Sequence, residues 1–180
     1  MLTIIGLKQK DERLFRKYCH FVLARFVTNS ALRKTSIIIK IVDPKSLENK
    51  IERKELQEVS AWMTYNGLTE DGKRKFLIVL DSTAINKTAK KGITKFKNLL
   101  KYLGHELIHI KQYINNEIFD YSDGKTVRFL GGRYSSSEDL INWDYWDAPF
   151  EIEAYGRMEG LYFMFLALLK DESKAKKKRT

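Results

Sequence analysis

Lys101-Tyr-Leu-Gly-His-Glu-Leu-Ile-His-Ile-Lys111 is the stretch on which the chain turns, because it sets His105, Glu106 and His109 in the pattern H-E-x-x-H. On a helix, residues four apart lie one turn above each other, so both imidazoles leave the same face and can grip one metal ion. Glu106 then stands beside the metal's open position, where it can take a proton from a water activated there. That combination implies hydrolytic chemistry. The surroundings agree with a helix: Phe96, Leu99, Leu100, Leu103, Leu107, Ile110 and Ile114 repeat at the three-and-four spacing of a core-packed face.

Working outward, 180 residues, 43% of them hydrophobic and 12% aromatic, suit one domain with a core that needs no disulfides. A single cysteine, Cys19, excludes an internal disulfide and a cysteine-built zinc cluster, and it reads as a small buried residue of the first helix. Charged residues follow the short apolar start at once, and the longest apolar run, Leu161 to Leu169, is below membrane-spanning length. A cytoplasmic protein without a membrane partner is expected. The net charge of +10 is uneven. Lys87, Lys90, Lys91, Lys95, Lys97 and Lys101 precede the H-E-x-x-H stretch, and the segment from Lys170 to Thr180 holds six basic and two acidic residues. Such clusters suit nucleic acid or an acidic partner, or a solvated face and a disordered tail.

Asp11 to Val27, with Leu14, Tyr18, Phe21, Val22 and Phe26, reads as an amphipathic helix that packs on a sheet. Ser36 to Val42 reads as a first strand, Lys45 to Glu58 as a loop with a short helical turn, and Val59 to Tyr65 with Lys75 to Leu80 as a hairpin. After a loop from Asp81 to Gly92, Thr94 is the expected N-cap of the metal helix, which ends near Asn115-Asn116. Thr126 to Leu130 and Arg133 to Tyr134 form a small hairpin or extended loop. A last helix starts at Asp147 or Ala148, with Pro149 in its first turn, and runs to about Leu169. The class is therefore α+β, one domain over residues 1–169, with a basic disordered tail over 170–180.

A catalytic zinc ion takes three protein ligands and keeps one open position. No histidine follows His109, and positions 112 and 115 are Gln112 and Asn115, so the third ligand is a carboxylate unless His20 folds back. Pro149-Phe-Glu-Ile-Glu-Ala154 offers two. At about 100° per residue Glu151 and Glu153 point in nearly opposite directions, so only one can face the metal. Glu151 borders the apolar stripe and is favoured, with Glu153 the alternative; Asp120 and Asp123 are weaker candidates.

His105, Glu106, His109 and the stretch Glu151-Ile-Glu-Ala154 together resemble the gluzincin branch of the zincin metallopeptidases, and Tyr145-Trp-Asp-x-Pro-x-Glu-Ile-Glu-Ala154 is similar to small H-E-x-x-H proteins of tailed bacteriophages. The resemblance covers about residues 94 to 169. It implies a minimal zincin-like domain: an N-terminal helix, a small, mainly antiparallel sheet, an active-site helix and a C-terminal glutamate helix. It implies Zn2+ as cofactor, a peptide or protein substrate added as a strand at the sheet edge, and location in the host cytoplasm if the protein is phage-encoded. It also supports Glu151, which stands three residues before Ala154 as in small gluzincin families. One departure is that the position four after Glu151, an Asp or Asn in some of these families, is Tyr155, so no residue is assigned to support a ligand histidine. The expected activity is zinc-dependent hydrolysis of peptide bonds with Glu106 as general base, and Tyr145 and Tyr155 are candidate donors to the oxyanion. The competing expectation is a catalytically silent zincin-fold module that binds nucleic acid or protein through its basic clusters.

Overall fold

The structure, a computed structural model, describes residues 1–49, 53, 54, 56, 60–85, 92–122, 126–135 and 147–178. Ser36-Ile-Ile-Ile-Lys-Ile-Val42 forms an inner strand of the larger sheet, as its β-branched run demands. In chain order the strands of this sheet are β1 (Leu2–Ile5), β2 (Thr35–Val42), β3 (Ala61–Leu68) and β4 (Arg74–Asp81), arranged β1-β2-β4-β3. The inner pair, β2 and β4, carries the sheet's fully buried residues, including Ile39, Phe76, Ile78 and Leu80. Strands β3 and β4 make the expected antiparallel hairpin, but β1–β2 and β2–β4 are parallel, so this sheet is mixed and not mainly antiparallel as expected.

The parallel pair β1–β2 requires a crossover, supplied by α1 (Gln9–Phe26) and α2 (Asn29–Arg33). Strand β1 is absent from the sequence reading because four residues at a chain start carry too little periodicity. Its exit depends on Gly6, at φ +94°, where a Cβ would overlap the carbonyl oxygen of Ile41. A second, antiparallel sheet follows the helix that carries His105 and His109: β5 (Ile118–Asp120), β6 (Thr126–Phe129) and β7 (Gly132–Ser135). The β6–β7 hairpin was legible; β5 was not, being three residues within a turn-rich stretch.

Two long helices complete the fold, α3 (Lys97–Ile114) and α4 (Pro149–Lys177). Helix α3 lies against β3 and β4 and beneath α1 and α4. Every residue from Leu103 to Gln112 is buried. One core joins Phe15, Tyr18 and Val22 of α1, Ile39, Phe76 and Ile78 of the sheet, Leu99, Leu103 and Leu107 of α3, and Phe165 of α4. The class is α+β, with an N-terminal and a C-terminal helix as expected.

Two boundaries differ from the sequence reading. A 3-10 turn over Gly92–Phe96 leads into α3, so the cap position falls on Phe96 and not on Thr94. Helix α4 runs to Lys177, so residues 170–177 are helical where a disordered tail was expected. Lysine, glutamate and alanine are good helix formers, Lys17 of α1 pairs with Glu172, and Lys174, Lys176 and Lys177 complement the negative helix end. Parts of the expected 45–58 loop, residues 86–91, Asp123 and residues 136–146 lie outside the described residues. No helix among the described residues is long and apolar enough to cross a membrane.

Candidate metal centre

Helix α3 can bring polar groups into the core because α1 approaches it closely at Gly104. A Cβ at Gly104 would stand 2.5 Å from the Tyr18 hydroxyl oxygen, which occupies that space. The next residues, His105 and Glu106, and His109 one turn on are 5%, 5% and 8% exposed. They escape solvent because α4 lies over them. Ala148 takes the cap position of α4 in extended geometry and Pro149 begins the helix, so Glu151 in the first turn faces α3 and is also buried.

Three atoms converge there. His105 Nε2 and His109 Nε2 are 3.0 Å apart, and Glu151 Oε2 lies 3.2 Å from the first and 3.4 Å from the second. Ligands each about 2.0–2.1 Å from a tetrahedral ion stand roughly 3.3–3.4 Å from one another, so this triangle has the size of a metal site. Both rings are close enough to pair with Glu151 Oε2, yet among the described residues neither that buried oxygen nor His105 Nδ1 has a hydrogen bond. A buried carboxylate oxygen without a partner is costly. Two imidazole nitrogens and one carboxylate oxygen, all turned to one point, are a donor set that fits a divalent cation. His105, His109 and Glu151 thus form a buried group that can hold a metal ion.

The electrostatics follow from burial and proximity. Burial disfavours the charged form of His109, but its contact with Glu151, the charges of Glu106 and Glu151, and Gln112 together hold it up at about 9. Burial likewise opposes the Glu151 carboxylate, which the His105 and His109 rings bring down to about 2. Glu106 moves the other way: burial raises it, and the two imidazoles beside it do not fully compensate. Burial thus makes Glu106 hold a proton more strongly than an exposed carboxyl does.

Glu153, the alternative ligand, is turned away from the histidines. It accepts from Lys111 Nζ at 2.8 Å, Gln112 Nε2 at 3.0 Å and Arg157 Nε at 2.9 Å. Those bonds hold its carboxylate below the usual range against the effect of burial. His20 is exposed on α1, and Asp120 accepts from the Tyr113 hydroxyl; neither joins the group. Tyr155 does reach the site, its ring centroid 4.2 Å from that of His105 at 54°. Tyr145 lies outside the described residues, as do Lys87, Lys90 and Lys91.

Comparison with family models, curated proteins and solved structures returned no match. The chemistry therefore rests on the side chains themselves. The sequence reading missed Gln112 as a partner of the site. His109 Nδ1 and Gln112 Oε1 are 2.9 Å apart, and Gln112 Nε2 bonds the Phe150 carbonyl oxygen at 3.0 Å as well as Glu153. The signal was available, since Gln112 is three residues after His109 and three-apart residues share a helix face. A hollow of about 260 Å³ lined by Tyr65, Arg74, Tyr113 and Phe119 contains none of the three converging residues. Donor chemistry, not concavity, locates the centre.

Proposed function

We propose that the protein is a zinc-dependent peptidase of gluzincin type. The observation that carries this reading is the triangle of His105 Nε2, His109 Nε2 and Glu151 Oε2, with Glu106 buried beside it. His105, His109 and Glu151 would hold Zn2+, which would supply a Lewis acid for a peptide carbonyl and for an attacking water. Glu106 takes the proton from that water and hands it to the leaving amine, a role its raised proton affinity suits. Tyr155, its ring tilted against that of His105, is the described candidate for a donor to the developing oxyanion. Strand β3 is an outer strand of the larger sheet and lies against α3, so an extended peptide adding there runs alongside the active-site helix. The sequence resemblance to small phage-encoded H-E-x-x-H proteins supports the same assignment.

The test is Glu106→Gln beside wild type, with zinc measured by elemental analysis and turnover measured on a peptide library. One zinc per chain in both proteins, with turnover reduced about 10²–10⁴-fold in the variant, is the expected result. Undiminished hydrolysis by the variant would falsify the mechanism.

A second reading, a silent module that binds nucleic acid or protein through its basic clusters, is favoured by one observation. Lys174, Lys176 and Lys177 are exposed on an ordered helix, so that cluster presents a shaped surface. Binding to DNA or RNA that weakens steeply with salt and ignores Glu106→Gln would support it.

A further inference from the structure

Gln112 is wholly buried, and each polar atom of its amide is used. Its nitrogen has two hydrogens and two acceptors, the Phe150 carbonyl oxygen and Glu153 Oε2, each at 3.0 Å. The oxygen is therefore the end that faces His109. An amide oxygen only accepts, so the hydrogen in the 2.9 Å contact belongs to His109 Nδ1. In the neutral ring, the form that can ligate, this leaves Nε2 as the nitrogen whose lone pair is turned towards His105 and Glu151. Rotating the amide would face its two donors towards His109 and lose both acceptors. A lone pair on Nδ1 would then be favoured, which moves the ring hydrogen to Nε2, where it blocks ligation.

Glu153 is itself held from both sides. Lys111, 8% exposed, bonds Glu153 at 2.8 Å and Glu117 at 2.6 Å, and Arg157 bonds Glu153 at 2.9 Å. The chain of contacts runs from the end of α3 through Gln112 into the first turns of α4, the helix that also supplies Glu151. His105 has no counterpart, because its Nδ1 is buried and unpartnered among the described residues.

We propose that Gln112 is a positioning residue for the metal centre: held by Glu153 and the Phe150 carbonyl, it keeps the hydrogen of His109 on Nδ1 and aims Nε2 at the ion. This inference rests on the reading of the site as a metal centre. It assigns Glu153 a supporting role where the sequence offered it as a ligand. Gln112 occupies the part played by an acidic residue in many histidine–metal sites, with a neutral oxygen whose orientation is set by a carboxylate behind it.

The experiment uses the full chain with 15N-labelled histidine, first metal-free and then with zinc. Long-range 1H–15N spectra of wild type should show a slowly exchanging Nδ1 hydrogen that disappears in His109→Asn and therefore belongs to His109. Gln112→Met fills the same space without an acceptor. It should lose that protected hydrogen and weaken zinc binding, read by competition with a chelator, roughly 10–100-fold. The exchanged pair Gln112→Glu with Glu153→Gln returns an acceptor to His109 and a donor behind it, at the loss of the donor to the Phe150 carbonyl oxygen, and should regain the hydrogen and part of the affinity. Glu153→Ala, with the Phe150 contact intact, should speed exchange of the hydrogen and weaken zinc several-fold; it provides the same test if Gln112→Met does not fold. Wild-type exchange and affinity in Gln112→Met, or in Glu153→Ala, overturn the proposal. A protected hydrogen in a wild-type protein that takes up no zinc overturns the metal-centre reading and upholds the bond between Gln112 and His109.

Discussion

His105 and His109 are the same residue one helical turn apart, equally buried under α4, yet they are held by different physics. His109 is oriented by a directed bond to Gln112 that continues to Glu153. His105 is oriented by packing, with the Tyr155 ring against it and, among the described residues, no bond to its Nδ1. A hydrogen bond specifies which ring nitrogen faces the point of convergence, whereas a packed ring restricts the plane and leaves the tautomer open. One histidine of the candidate centre is thus prearranged chemically and the other sterically.

The hardest way to break this comparison is to remove what the two rings share. Glu151→Ala should abolish zinc binding or weaken it by more than roughly a hundredfold, above the range of supporting residues. Glu153→Ala should retain one zinc per chain. Equal loss in both variants, by elemental analysis, would erase the distinction between ligand and support.

Next in size is the response to pH. A zinc ligand must present a lone pair, and His109 holds its proton up to about 9, so apparent zinc affinity should climb about tenfold per pH unit towards that value and flatten above it. Stability of the metal-free protein should move the opposite way. The raised His109 favours the folded state fully below its ordinary 6.5, and that contribution is lost as pH rises through about 9. The lowered Glu151 contributes above its ordinary 4.5 and loses its effect as pH falls through about 2. These are two sides of one interaction, strongest between 4.5 and 6.5, and urea midpoints of metal-free protein on either side of that window measure it. A flat zinc affinity across neutral pH would show that His109 carries no such proton.

The smallest effect sharpens the comparison most. Tyr155→Phe keeps the ring on His105 and should leave zinc affinity unchanged; Tyr155→Leu removes it and should cost about 2–10-fold, the worth of an aromatic contact. If Tyr155→Phe alone lowers turnover while zinc stays bound, the hydroxyl acts on the substrate and the ring on the ligand.

Much of this was readable in the chain. H-E-x-x-H within a three-and-four apolar repeat specified α3 and the common face of His105 and His109, because helical geometry relates sequence spacing directly to direction. Pro149 marked the start of α4 for a similarly local reason. Glu151 was favoured over Glu153 from the stripe beside it, and α4 does turn it to the histidines. Strands β1 and β5 went unread because they are short and owe their existence to partners elsewhere in the chain. The helical residues 170–177 went unread because a run of lysines looks alike whether solvated in a coil or on a helix.

By itself the sequence determined the candidate donor residues and their helices, since these depend on residue type and spacing within a turn or two. Only the tertiary structure decided that α4 crosses α3 with Glu151 between the two rings, and that the same crossing brings Glu153 behind Gln112. Those contacts join residues about forty positions apart, and such partners are chosen by how two buried helix faces pack, which no local pattern encodes.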